Sequence, residues 1–392
     1  MAFSRRTSQH DEPNALAQAV ARVRAEASKG GPPLLDLTVS NPTTAGIPYD
    51  EKAILDALRN PLALAYSPEP LGLPSGRAAV AGDWTASGVP IEARHVALTA
   101  STSEAYAALF TMLADPGDEI LVPQPSYPLL GYLAAFDAVE LRPYPLVYAG
   151  GWHVDLDALR SAVGPRTRAI VVVAPNNPTG SYLSAAELEA MLDLGLPIIS
   201  DEVFARYPLG AGVPDGRVAT ILEAKRGLVF ALSGLSKLAA LPQLKLGWIG
   251  VGGDEAKVNE AMARLELVLD AYLSVGAPVQ HALPRLLALR SARHAISART
   301  RHNLGVLRAA IHTAPSASVL DVEAGWYAIV RVPETQSDEE WAIDLVESDR
   351  VHVHPGYFFD MHRGAHLVVS LLTPEAVFAE GIERLFARIA RL

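Results

Sequence analysis

Lys237 stands five residues beyond the apolar run Leu228-Val229-Phe230-Ala231-Leu232, which breaks at Ser233 and Gly234. A lysine just past the end of a buried strand is carried on rigid backbone, with its amine aimed into the adjoining cleft. Desolvated there, the amine loses its proton more readily and can capture a carbonyl. Three further groups follow apolar runs in the same way. Thr99-Ala100-Ser101-Thr102-Ser103-Glu104 follows His95–Leu98, and the spacing of Ser101 and Glu104 predicts a capped helix start, whose free N–H groups and positive dipole end suit a phosphate. Asn176-Asn177-Pro178-Thr179-Gly180 follows Ala169-Ile170-Val171-Val172-Val173, and Asp201-Glu202 follows Leu196-Pro197-Ile198-Ile199. A carboxylate at a buried strand end is costly without a cation, so the acidic pair demands a partner. Taken singly these are a loop lysine, a helix cap, a turn and a strand terminus. Taken together, at one edge of one sheet, they describe a receptacle for a phosphorylated heteroaromatic aldehyde.

For them to share an edge, the runs must be strands of one sheet. Strands are predicted over 95–99, 119–123, 168–174, 197–201, 228–232 and 244–251, with helices at 103–114, 185–194 and 255–275 between and after them. Short apolar runs alternating with helices predict a mainly parallel sheet covered on both faces, a three-layer α/β/α domain. In such sheets ligands bind outside the carboxyl ends of the strands. From about His294 a long helix leads into strands near 318–322, 326–332, 351–354 and 366–371 and helices at 338–348 and 374–391, a smaller α+β unit. The domain reading is therefore 50–293 for the large domain, with 1–49 and 294–392 forming the small one.

The 392 residues carry a formal charge of −10, which gives no basic footprint for nucleic acid or an anionic membrane and points to a small-molecule partner. Cysteine is absent, so thiolate catalysis, thiolate metal sites and disulfides are excluded, and no metal is expected. The amino terminus MAFSRRTSQHDEPNALAQ lacks the apolar core of a secretory signal, and no apolar run is long enough to span a bilayer, so a cytoplasmic protein is expected.

In combination, order and spacing these motifs resemble fold-type I pyridoxal-phosphate enzymes, in particular the class I/II aminotransferases, from Asp36 to about Leu385. The resemblance implies an aminotransferase moving an amino group between an amino acid and a 2-oxo acid. By that resemblance Lys237 would hold pyridoxal 5'-phosphate as an imine and shuttle the substrate proton, and Asp201 would pair with the ring nitrogen. Asn177 would bond the 3′-oxygen, Tyr127 would stack on the ring, and Ser101, Thr102 and Ser103 would bind the phosphate. Tyr66 matches a tyrosine that reaches the neighbouring subunit's cofactor phosphate, implying a homodimer with shared sites. Ser40 and Asn41 match a loop that closes over substrate.

Several positions depart from the family pattern. Lys245 stands where an arginine is usual, keeping the charge but losing the bidentate fork. Gly234 replaces a serine, leaving Ser233 and Ser236 as substitutes, and Phe204 replaces a tyrosine. Val368 occupies the place of the arginine that clamps the substrate carboxylate, so Arg363 is the candidate for that anion. The same chemistry leaves lyase (β-elimination) and amine-transaminase readings open. A non-catalytic ligand-binding protein on this fold is weaker, and a dehydrogenase is weaker still, because Gly250-Val251-Gly252-Gly253 lacks the dinucleotide fingerprint.

Overall fold

The computed structural model describes residues 4–7 and 14–391, so parts of the amino terminus read above, including the first residues assigned to the small domain, lie outside the described residues. A two-residue strand, β1 (Leu35–Asp36), precedes the large sheet. That sheet comprises β2 (Val96–Thr99), β3 (Glu119–Gln124), β4 (Glu140–Tyr148), β5 (Trp152–Val154), β6 (Thr167–Val173), β7 (Ile198–Asp201), β8 (Leu228–Gly234) and β9 (Gly247–Gly253). Its order is β2-β9-β8-β7-β6-β3-β4-β5. The five central strands, β4, β3, β6, β7 and β8, run parallel, while β9 is antiparallel to both β2 and β8.

Alternation along the central strands sends side chains to two helical layers. Ile170, Val172, Ile198, Val229 and Ala231 pack with Val80, Trp84, Leu283 and Leu286, from helices Pro74–Ala86 and Ala277–Ala288. Val171, Ile199, Phe230 and Leu232 pack with Tyr106, Leu109, Phe110 and Leu265, from helices Thr102–Leu113 and Glu255–Asp270. The large domain is the three-layer α/β/α sandwich the sequence implies.

Some elements differ from the sequence reading. β4 is absent from it because the strand carries Pro143 and Pro145 and alternates with an exposed face; β5 pairs only from Leu146 onward, so both prolines sit where no further strand needs their missing N–H. The strand expected over 228–232 continues to Gly234, since Ser233 and Gly234 pair with Trp248 and Gly247. The strand expected from 244 begins at Gly247, because Pro242–Leu244 forms a 3-10 turn and Lys245 takes a left-handed conformation at φ 48°. The helix expected over 255–275 ends at Asp270.

The smaller unit has an antiparallel sheet, β10 (Ser318–Val319), β11 (Tyr327–Val332), β13 (His354–Pro355) and β14 (Ala365–Ser370), while β12 (Val351–His352) pairs with β1 in parallel. Its core joins Leu16, Val20 and Leu37 to Leu304, Trp341, Phe378 and Leu385, which ties residues 14–37 to the carboxyl-terminal third. No helix among the described residues is long and apolar enough to cross a membrane.

Candidate active site

The carboxyl ends of β2, β6, β7 and β8, with the start of antiparallel β9, form one rim. Lys237 lies in a single helical turn, Leu235–Leu238, directly after β8. Its carbonyl accepts the Tyr207 hydroxyl at 2.5 Å, which fixes the turn from behind. The amine lies 5.1 Å from the Trp326 ring centroid and 5.9 Å from that of Phe204. Burial lowers its pKa, and the nearby Asp201 charge opposes that shift only in part. This is the environment in which an amine becomes a nucleophile.

Asp201 ends β7. One carboxylate oxygen accepts the Val203 amide at 3.2 Å, and the other accepts the Tyr106 hydroxyl at 3.4 Å. Burial raises its pKa to about 6, against the lowering effects of Val203, Tyr106 and Lys237. The carboxylate is therefore under-compensated, and a cation placed against it would restore its ionisation. Its neighbour Glu202 points to the opposite face, where it accepts the Ile221 amide at 2.7 Å; burial raises it to about 7. The acidic pair predicted to need a cation is thus split across the sheet, with Asp201 alone on the Lys237 side.

Of the adjacent asparagines, Asn176 is spent on structure: its amide donates to the Pro125 carbonyl and accepts from Thr179. Asn177 keeps a buried carbonyl oxygen with no partner. At the start of helix Thr102–Leu113, Ser101 accepts the Glu104 amide at 3.2 Å while the Glu104 carboxylate accepts the Ala100 amide. The cap leaves Thr102 and Ser103 to face an anion. Gly247 packs onto this start: a Cβ there would come within 2.9 Å of the Ser101 carbonyl carbon and 3.1 Å of the Thr102 nitrogen. Lys245, two residues earlier, is exposed on the same rim.

Gly234 has a steric explanation. A Cβ at this position would meet the Leu246 oxygen at 2.9 Å and the Gly247 Cα at 3.0 Å, so a serine does not fit. Ser233 does not take over its place, because strand alternation points it to the far face, where it lines a cavity with Trp84, Glu202 and Thr220. Ser236 is partly exposed beside Lys237.

Tyr127 is half-exposed and close enough to Tyr327 to perturb it electrostatically; Tyr327 in turn packs edge-on to Phe204 and shares a hydrogen bond with Ser40. Ser370 donates to the Val39 carbonyl, pinning the Ser40 segment to the end of β14. Asn41 instead bonds the amide and hydroxyl of its own turn residue Thr43. Tyr66 is 85% exposed and lies beside a cleft of about 400 Å³, with exposed Leu62 and Ala65 on the same lining, so it is not brought to Lys237 of its own chain.

Val368 is fully buried among Trp152, Leu320, Ile329, Phe359 and Met361. Arg363 lies in an exposed turn before β14, at the end where Ala365 pairs with Val332, whereas Ser370 at the opposite end bonds the Ser40 segment. The neighbour of Arg363, His362, nevertheless shares a 2.7 Å hydrogen bond with Gln124 at the carboxyl end of β3, and the Ser126 amide donates to the Phe359 carbonyl, so the turn that carries Arg363 meets the sheet beside Tyr127. Sequence reasoning missed Tyr106, Tyr207, Trp326 and Tyr327. The only available signal was that each is a large polar-tipped aromatic within an apolar stretch.

Residues 32–385 match the family model "Aminotransferase class I and II". The chain is 33% identical to nicotianamine aminotransferase A of Hordeum vulgare over 68% of its own length and 60% of that protein. It is 27% identical to the tyrosine aminotransferase of Bos taurus, over 90% of this chain and 81% of that one. Matches to the nicotianamine aminotransferases span only 44 to 60% of those proteins' own length. The solved alanine aminotransferase of Pyrococcus furiosus superposes with a TM-score of 0.86 at 25% identity, covering 100% of both chains.

Proposed function

Because this chain belongs to the class I and II aminotransferases, we propose that it transfers an amino group between an amino acid and a 2-oxo acid, using pyridoxal 5'-phosphate. The observation that carries this reading is the desolvated Lys237 amine, whose pKa is lowered, set beside the under-compensated Asp201 carboxylate at the ends of adjacent strands. The residues present fit the cofactor: a helix start with uncommitted donors for its phosphate, a partly exposed Asn177 side chain at the turn after β6, and a carboxylate lacking a cation. When bound, it supplies a protonated aromatic ring that accepts electrons from the substrate α-carbon.

The chain's own groups divide the remaining work. Thr102 and Ser103, with Ser101 shaping the turn and Lys245 adding charge, would hold the phosphate. Asp201 would stay ionised to pair with the ring nitrogen, Asn177 would donate its side-chain N–H to the ring oxygen, and Tyr127 would cover the ring. Lys237 would anchor the cofactor covalently, and its amine, when free, would carry the substrate α-proton as a general base. Phe204 and Trp326 keep water from that amine and hold its pKa down. Ser236 is partly exposed beside it, and Ser40 is tied to the same aromatic wall through Tyr327.

We propose a homodimer in which Tyr66 completes the partner's phosphate site. Its exposure, amid exposed Leu62, Leu64 and Tyr272, supports this reading. Mixing a Tyr66→Phe variant with a Lys237→Ala variant is expected to regenerate activity, because one site of each heterodimer has both residues intact. Activity that stays at the level of the separate variants after confirmed subunit exchange would place the site within one chain.

A second reading, an amine transaminase, is favoured by the closed apolar packing around Val368, which offers a carboxylate no cation. The test of both is a spectrophotometric screen of single amino donors against their decarboxylated amines, followed through the cofactor absorbance. Amino acids are expected to be preferred, and because the turn that carries Arg363 meets the sheet beside Tyr127, Arg363→Ala is expected to lower kcat/KM about tenfold for carboxylate-bearing donors alone. An unchanged preference for the amino acid would remove Arg363 from the site. Preference for the amines would favour the second reading, and release of pyruvate with ammonia would mean elimination.

A further inference from the structure

Helix Thr102–Leu113 contributes more to the site than its first turn. Tyr106 lies three and four residues beyond Ser103 and Thr102, on the same helix face, and so points along the rim beneath the place those residues offer to a phosphate. Its side chain is 2% exposed, packed at 5.8 Å against Phe110, and its hydroxyl donates to Asp201. No other partner for that hydroxyl is seen among the described residues. The bond spans 95 positions of sequence, from a helix on one face to the end of β7.

We propose that Tyr106 is a positioning residue for Asp201, fixing the plane of its carboxylate and holding it ionised. The two donors grip different oxygens, the Tyr106 hydroxyl one and the Val203 amide the other, so rotation of the carboxylate breaks both bonds. A hydrogen bond to a charged acceptor at a desolvated site contributes more than one between neutral groups. Burial and the Asp201 charge push the phenol well above its ordinary pKa, so Tyr106 remains a donor throughout the working range. The other titratable groups near the pair are Lys237 from the turn after β8 and Tyr144 of β4, while Glu202, the residue after Asp201, acts from the opposite face of the sheet. Lys237 favours the carboxylate, and Glu202 opposes it. The inference rests on the proposed role of Asp201, and its test is arranged to separate the two.

The test uses cofactor-free protein labelled with 13C at aspartate carboxyls, the Asp201 resonance being identified by its loss in Asp201→Asn. Tyr106→Phe removes one oxygen from an apolar surrounding and is expected to fold with an unchanged melting temperature, to within a few degrees. The Asp201 protonation equilibrium is expected to shift about tenfold toward the neutral acid, which a structural role alone would not produce. Site-specific 3-fluorotyrosine at 106, a stronger donor, should move it the opposite way, and serves if the Phe variant does not fold. Pyridoxal 5'-phosphate should bind about tenfold more weakly to Tyr106→Phe, with no further loss when Tyr106→Phe is added to Asp201→Asn. An unmoved Asp201 titration in folded variants overturns the role of Tyr106. Normal turnover and cofactor affinity in Asp201→Asn overturns the role of Asp201 instead, leaving the titration to judge the clamp.

Discussion

Lys237→Ala is expected to abolish amino-group transfer, with a loss on the order of 10⁴-fold or more, because one side chain is both anchor and proton carrier. No neighbouring group can replace it. Phe204 and Trp326, whose rings face the amine, have no base to offer, Asp201 is committed to the ring nitrogen in the proposed role, and the Tyr207 hydroxyl is bonded to the Lys237 carbonyl. The variant should still fold, since the turn after β8 is held by backbone bonds, from Leu235 to the Leu246 carbonyl and from Leu241 to the Leu235 carbonyl. It should also retain cofactor noncovalently through the helix start and Asp201. Borohydride reduction of the wild-type protein followed by peptide mapping checks the anchor directly; a label on any other lysine would sink the assignment.

Asp201→Asn carries the second large effect, and it has opposite signs for activity and stability. For activity, the variant keeps the shape and loses the charge that holds the ring nitrogen protonated. A fall in kcat of about 10² to 10³ is expected, the usual scale for removing one preorganised electrostatic group. For stability, the sign follows from a folded-state pKa of about 6 against the ordinary aspartate value of 3.8. The unfolded chain releases this proton first, so the carboxyl costs the cofactor-free protein stability progressively between about pH 4 and pH 6, and fully above that. Asparagine removes the cost. Thermal melts of cofactor-free protein should show the variant more stable than wild type by on the order of 2 kcal/mol at pH 7.5, with the advantage vanishing near pH 4. Addition of pyridoxal 5'-phosphate should reverse the order, because only the aspartate pairs with the ring. A variant that is less stable than wild type at pH 7.5 without cofactor would show that Asp201 is already compensated.

What the sequence determined about this protein is local. Strand ends, helix starts and turns are written in neighbouring residues, so Lys237 after β8, Asp201 at the end of β7, the Ser101 cap and the Asn177 turn could be placed on one rim from composition and spacing. The same holds for the three-layer domain, since apolar runs such as Ile170–Val173 announce a strand covered on both faces. What only the tertiary structure decided depends on register and on segments distant in the chain. Period-two alternation assigns Ser233 to the face of Glu202 and away from Lys237, but the phase is set by pairing with Trp248. The glycine at 234 reads as a lost serine until the Leu246 carbonyl is seen to lie where its Cβ would be. Val368 reads as a missing cation, whereas the packing of Trp152, Phe359 and Met361 from separate elements makes its place a closed core. Tyr106 stood out only as a polar-tipped aromatic in an apolar helix, which is ordinary until its hydroxyl meets a carboxylate 95 residues away. Local propensity specifies where a chain turns; the pairing of one strand with another specifies which side chains then meet.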